Sequence, residues 1–219
     1  MEEGRSPSGN LNKRTLWGSL WLPSQETFKV CHALLQDPKF FQLLKRIDEE
    51  LAAQARAGGC LFCDGVLHCA NYPRKPRACL VELRDDFNRR FSFCCNRCRK
   101  RCTSMSVRFL GRRVYLGLAV VLVSARHAGQ TPAAARLGAG LGIPIRTLER
   151  WRQWWQSDFA LTPLWQAQCA RFMPPVATHR LPGELLERFT GAAHEALLRL
   201  LLFLTPLTVR PLIVVGEGR

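Results

Sequence analysis

Two cysteine pairs constrain this chain more than anything else in it. Cys60-Leu61-Phe62-Cys63 and Cys95-Asn96-Arg97-Cys98 each hold two thiols two residues apart, with 31 residues between the pairs. A tight turn at that spacing aims both sulfurs of a pair at one ion while backbone amides face the sulfurs. Two such turns supply four thiolates, which close a tetrahedron and leave no open position for a reacting ligand. The spacing predicts a structural Zn2+ site made by Cys60, Cys63, Cys95 and Cys98, within a zinc ribbon over residues 58–104. Free thiols or a redox pair are the alternative reading. Gly65, just past the first pair, suits a positive-φ position after the turn.

The neighbouring cysteines test this assignment. Arg90-Phe91-Ser92-Phe93-Cys94-Cys95 alternates as a strand does, so Cys94 and Cys95 point to opposite faces and only one can reach the ion. Cys94 stands four residues before Cys98, an alternative spacing; Cys95 is favoured. Cys69, Cys79 and Cys102 have no partner at knuckle spacing and read as packing residues, although His68 or Cys69 can substitute in a distorted knuckle. The N-terminal MEEGRSPSGNLNKR has no apolar core or cleavage site, so a reducing cytoplasm and metal ligation are expected rather than disulfides. No membrane span is expected. The apolar run Tyr115–Ala125 is too short, and Leu197–Val215 is interrupted by Arg199, Pro206, Arg210 and Pro211.

Charge then points to a partner. The chain has 32 Lys+Arg against 17 Asp+Glu, a net +15, which attracts polyanions. Nucleic acid is the leading class, with anionic membrane and an inert basic surface as alternatives. Only six of the basic residues are lysine, and arginine is the better fork for phosphate and guanine, although a GC-rich genome also favours arginine. Tyr72-Pro73-Arg74-Lys75-Pro76-Arg77 forms a proline-stiffened basic loop. Arg84, Arg89, Arg90, Arg97, Arg99, Lys100, Arg101, Arg108, Arg112 and Arg113 follow, interleaved with Phe87, Phe91, Phe93 and Phe109. The bland reading is a solvated face; the sharper one is phosphate contact. On the sharper one, Arg74, Lys75, Arg77, Arg99, Lys100, Arg101, Arg112 and Arg113 are nucleic-acid candidates.

The rest of the chain reads as helix. Residues 1–23 form a flexible basic arm, in which Trp17 and Trp21 either dock on a core or stack on bases. Residues 24–57 are a helical segment with Asp37 as N-cap, Pro38 in the first turn and an apolar face of Phe40, Leu43, Leu44, Ile47 and Leu51; Gly58-Gly59 ends it. In 105–157 an apolar helix begins at Val114 and ends near His127-Ala128-Gly129, a second starts at Thr131-Pro132, and Gly138, Gly140 and Gly142 make a turn before a third at Pro144. That third helix puts Leu148, Trp151 and Trp155 on one side and Arg146, Glu149, Arg150 and Gln153 on the other. This is a helix-turn-helix arrangement whose third helix enters the major groove, the alternative being a plain bundle. Residues 158–219 are a packing or association segment with a long helix from Pro182 to Leu204, able to support a homo-oligomer. The fold class expected is mainly α with a small zinc-ribbon β module (α+β).

These strings carry a resemblance. The paired cysteines, the basic link and GxTPxxxRLxxxLGIPxRTLERWRxWW resemble the N-terminal DNA-binding part of bacterial insertion-element transposases. A group of short bacterial proteins sharing YPRKPR, FSFCC, RKR and SVRFLGRR is also similar. The resemblance covers residues 58–155. It implies that Cys60, Cys63, Cys95 and Cys98 hold zinc and that Arg146, Thr147 and Arg150 face double-stranded DNA, with Gln153 on the same helix. It also implies a nucleoid-associated protein acting with a separate transposase or integrase subunit. The chain departs from the pattern at Pro144, which offers no capping oxygen, and in its carboxylates: Glu184, Glu187, Glu195 and Glu217 have no strand-rich core around them. No nucleophile–base set, phosphate loop or HExxH is present, so DNA binding without catalysis is expected. An RNA-associated or protein-interaction zinc module is the alternative.

Overall fold

The computed structural model describes residues 33–110, 116–125 and 139–209. The arm at 1–23, the start of the next segment with Cys31 and His32, Arg112 and Arg113, the helix expected from Thr131, and the tail from Arg210 lie outside the described residues.

Helix α1, Pro38–Ala57, starts where the sequence places it: the Asp37 carboxylate accepts from the Lys39 amide at 2.9 Å, with Pro38 in the first turn. Its buried stripe is Phe40, Phe41, Leu44, Asp48 and Ala52. The expected apolar face is thus rotated, and Leu43, Ile47 and Leu51 are only half-buried. The first half of α1 enters the main core, while Ala52 and Ala55 pack on a second, smaller cluster around the cysteine pairs.

That smaller cluster belongs to a three-stranded antiparallel sheet, β1 (Leu67–Cys69), β4 (Ser92–Cys95) and β5 (Arg101–Thr103), in the order β1-β4-β5. Beside it, β2 (Tyr72–Pro73) pairs with β3 (Arg89–Arg90). Leu67 is opposite Cys95, His68 opposite Cys94, and Cys94 opposite Arg101. Register therefore puts His68, Cys94 and Arg101 on one face, and Leu67 and Cys95 on the face toward α1.

The helical part is built around α2, Gly117–Ala125, where Leu118 to Val123 are each at most 1% exposed. A helix apolar all round must be enclosed. It is packed by α3 (Ile145–Gln153), α5 (Gly183–Glu187) and α6 (Ala193–Phe203). Past α3 a π-helical turn, Trp154–Asp158, leads toward α4 (Pro163–Gln168). A run of rings then ties α3 to α6: Trp155 to Phe159 (4.9 Å between centroids), Phe159 to Trp165 (5.2 Å), Trp165 to Phe172 (5.9 Å) and Phe172 to Phe203 (5.7 Å). The long helix expected from Pro182 to Leu204 is two helices. Gly191 sits at φ +112°, where a Cβ would collide with the Glu195 carboxylate, and that carboxylate accepts from the Ala192 amide at 3.3 Å to start α6. The architecture is α+β, and no described helix is long and apolar enough to cross a membrane.

One ion pair joins the helical part to the sheets. Asp48, fully buried, accepts from Ser106 Oγ (2.5 Å), the Val107 amide (2.7 Å) and Arg108 Nε (2.7 Å). Arg108, 1% exposed, also donates to the Asp86 and Arg89 carbonyls and lies 5.0–5.2 Å from the Phe87, Phe91 and Phe109 ring centroids. Arg90, equally buried, donates to the Ser104 carbonyl at 2.6 Å and to Thr208. Arg90 and Arg108 thus leave the row of phosphate candidates: both are structural cations, buried and directed to acceptors inside the protein. Truncating one partner of a buried pair strands the other, at about 3–5 kcal/mol. Asp48→Ala is expected to cost that much in urea unfolding, whereas Glu49→Ala on the exposed side of α1 should shift the midpoint little.

Candidate metal centre

The two cysteine turns share one backbone. In the first, the Cys60 amide donates to the Gly65 carbonyl (3.0 Å), and the Cys63 and Asp64 amides donate to the Cys60 carbonyl. In the second, the Cys95 amide donates to the Lys100 carbonyl (3.0 Å), and the Arg97 and Cys98 amides reach Cys95 Sγ at 3.3 and 3.4 Å. The residue after each pair is left-handed: Asp64 at φ 56° and Arg99 at φ 59°. Positive φ therefore falls on Asp64, not on Gly65 as expected. Gly65 is required for room, because a Cβ there would lie 2.8 Å from Cys95 Sγ and 3.0 Å from Arg97 Cβ. The Asn96 amide donates to the Val66 carbonyl (3.0 Å) and locks the turns together.

The four sulfurs converge. Cys60 to Cys98 and Cys63 to Cys95 are each 3.5 Å, and all four lie within 4.8 Å of one another. A tetrahedron of metal–sulfur bonds of ~2.3 Å has an edge of ~3.8 Å, so the cluster fits a thiophilic ion. Cys60 and Cys95 are buried, and Cys63 and Cys98 half-buried. Burial pushes the Cys95 thiol up, but the Cys98 and Arg97 amides and the neighbouring thiols outweigh it and bring it down to about 6. For Cys98 the Lys100 amide pulls down, but burial and the other three sulfurs prevail and push it up to about 12. An entering metal displaces whatever protons these thiols retain.

Cys94 lies on the opposite face of β4 from Cys95, its thiol directed to the Arg99 carbonyl at 3.5 Å. His68 and Cys69 are exposed and outside the cluster. Cys102 packs with Leu67 and Phe93 beneath it, and Cys79 lies in the main core, where burial pushes its thiol up to about 11.

The sequence-derived cations are placed as follows. Lys75, Arg77, Arg99, Lys100 and Arg101 are exposed and Arg74 half-buried. Arg74 and Arg101 flank the Tyr72 ring at 5.0 and 5.8 Å, and Arg101 also donates to the Ala70 carbonyl at 2.6 Å. Lys100 Nζ stands 4.3 Å from the centroid of Phe62. Arg112 and Arg113 are outside the described residues. On α3, Leu148, Trp151 and, just beyond, Trp155 are buried, whereas Arg146, Glu149, Arg150 and Gln153 are exposed. Thr147 departs from its expected place facing DNA: it is 6% exposed, its hydroxyl accepting from Arg150 at 3.2 Å. Phe62 was missed as a surface aromatic, because an aromatic between two ligands reads equally well as packing.

Comparison with family models, curated proteins and solved structures returned no match.

Three outcomes follow for the cysteine cluster. Cys95→Ser should abolish the thiolate-to-metal absorption of the Co2+-loaded protein, whereas Cys94→Ser should leave it intact. Protons compete with metal for thiolates, so acidification should release the ion, which a pH titration of the Co2+-loaded protein's absorption would follow. Gly65→Ala should weaken metal binding at all pH values.

Proposed function

We propose that this chain is a DNA-binding protein, transposase-derived or transposase-associated, in which a structural Zn2+ on Cys60, Cys63, Cys95 and Cys98 stiffens a basic ribbon. The observation that carries the reading is α3. Its apolar side is locked into the core through Leu148 and Trp151, and its opposite side presents Arg146, Glu149, Arg150 and Gln153 to solvent. Side chains of that kind on a rigid helix suit base edges: arginine forks guanine and glutamine pairs with adenine. Arg150 is additionally braced by Thr147, which limits the rotamers it must give up on binding.

The ribbon supplies the phosphate contacts in this reading. Lys75, Arg77, Arg99 and Lys100 carry charge but no base code, so they add affinity and salt dependence across all sequences. Zn2+ does no chemistry here; it fixes the turns that hold these cations in place. A separate transposase or integrase chain would cut and join the strands.

The test is binding to a selected duplex across a salt series. Arg150→Ala should cost about 1–3 kcal/mol and relax selectivity at one or two positions, whereas Lys75→Ala should weaken all duplexes alike and flatten the salt slope by about one. Unchanged affinity and selectivity in the Arg150 variant would remove α3 as the reading element.

A further inference from the structure

The two cysteine turns are equivalent in backbone and opposite in chemistry. At corresponding positions the first carries Leu61 and Phe62, the second Asn96 and Arg97. Leu61 is 67% exposed, Phe62 46% and Val66 60%. Convergence of the four sulfurs forces the apolar tip and the cationic tip side by side, and the 4.3 Å approach of Lys100 Nζ to the Phe62 ring is the direct result. Arg97 and Arg99 are exposed beside it, and Asp64 is the only acid of the first turn.

We propose that this tip is a stacking site for one unpaired nucleobase of a DNA strand. Lys100 covers one part of the Phe62 ring and leaves nearly half of the side chain open. A base laid on the open part extends the stack, and its phosphates come within reach of Lys100, Arg97 and Arg99. Base–aromatic stacking tolerates any base, because every base has a π-face. A paired base inside a duplex has both faces covered by its neighbours, so the site takes a strand end, a bulge or a single-stranded tail. Tyr72, another aromatic beside cations, is less available: its ring is half-buried with Arg74 and Arg101 at 5.0 and 5.8 Å, and its hydroxyl accepts from Arg74 at 3.4 Å. Phe62 needs no induced opening, since it is exposed at the tip of the first cysteine turn.

This inference rests on the DNA-binding reading for its choice of polyanion, but on neither α3 nor duplex recognition. The experiment uses the full-length Zn2+-loaded protein, a blunt duplex, and the same duplex with a short tail containing 2-aminopurine. The tail should tighten binding about tenfold and quench the 2-aminopurine. Phe62→Ala should erase both effects while leaving blunt-duplex affinity and zinc stoichiometry unchanged, and Phe62→Trp should retain them. Equal affinity for blunt and tailed duplexes overturns the stacking site and leaves the duplex reading standing. Phe62-dependent binding of the tail without affinity for the blunt duplex does the reverse. Phe62-dependent binding of an acidic amphipathic peptide, with no tail preference, overturns the base site in favour of a protein partner.

Discussion

The Asp48 carboxylate is the joint of this molecule. It lies halfway along α1, between the half that enters the helical core and the half that supports the sheet, and it accepts three hydrogen bonds from the strand-end segment at 106–108. Burying an ion costs several kcal/mol, so a carboxylate survives there only with its lone pairs filled and a cation opposite. Arg108 provides the cation and in turn satisfies the Asp86 and Arg89 carbonyls, groups that no ladder hydrogen bond reaches. One pair therefore aligns α1, the loop before β3 and the segment leading into α2. An apolar pair of the same volume could fill the space, but it would leave the Val107 amide without a partner.

The sequence revealed these parts unequally, for physical reasons. The metal centre was legible because chelation by a tight turn is a local matter: spacing within four residues decides where two sulfurs point. That only one of Cys94 and Cys95 can reach the ion followed from strand alternation, also local, and it is Cys95 that joins the cluster. The start of α1 at Asp37-Pro38 and the two-sided character of α3 were legible on the same grounds. Asp48 was not, since an acid in an amphipathic helix ordinarily marks the solvent side, and only its partner 60 residues away reverses that. Arg90 and Arg108 were indistinguishable from the surface arginines around them, because a guanidinium carries no sign of whether carbonyls or water will satisfy it. Gly65 was recognised as special for the wrong reason: left-handed backbone is a local property that Asp64 and Arg99 accept, whereas the nearness of the Cys95 sulfur is tertiary.

The same distinction divides the functional reading. A metal-pinned turn is rigid whatever its side chains are, so the two turns are free to differ at their tips without losing geometry. One tip has become apolar and the other cationic, and each borrows the other as a neighbour. The helical part works differently. There α3 is held by a train of rings from Trp155 to Phe203, and its outward side chains are only as well placed as that packing is tight.

Enclosure of α2 has a consequence for synthesis. Burial of its side chains from Leu118 to Val123 is completed only by α3, α5 and α6, and Leu201 on α6 lies against Gly117. At ribosomal speeds of about 5–20 residues per second, the roughly 80 residues between α2 and the end of α6 delay the last of this cover by about 4–16 seconds. The segment that carries the cysteine turns, residues 58–104, is synthesised before that interval begins. Each nascent chain thus passes through a period in which the segment carrying both cysteine turns is joined to an apolar helix whose cover is still incomplete.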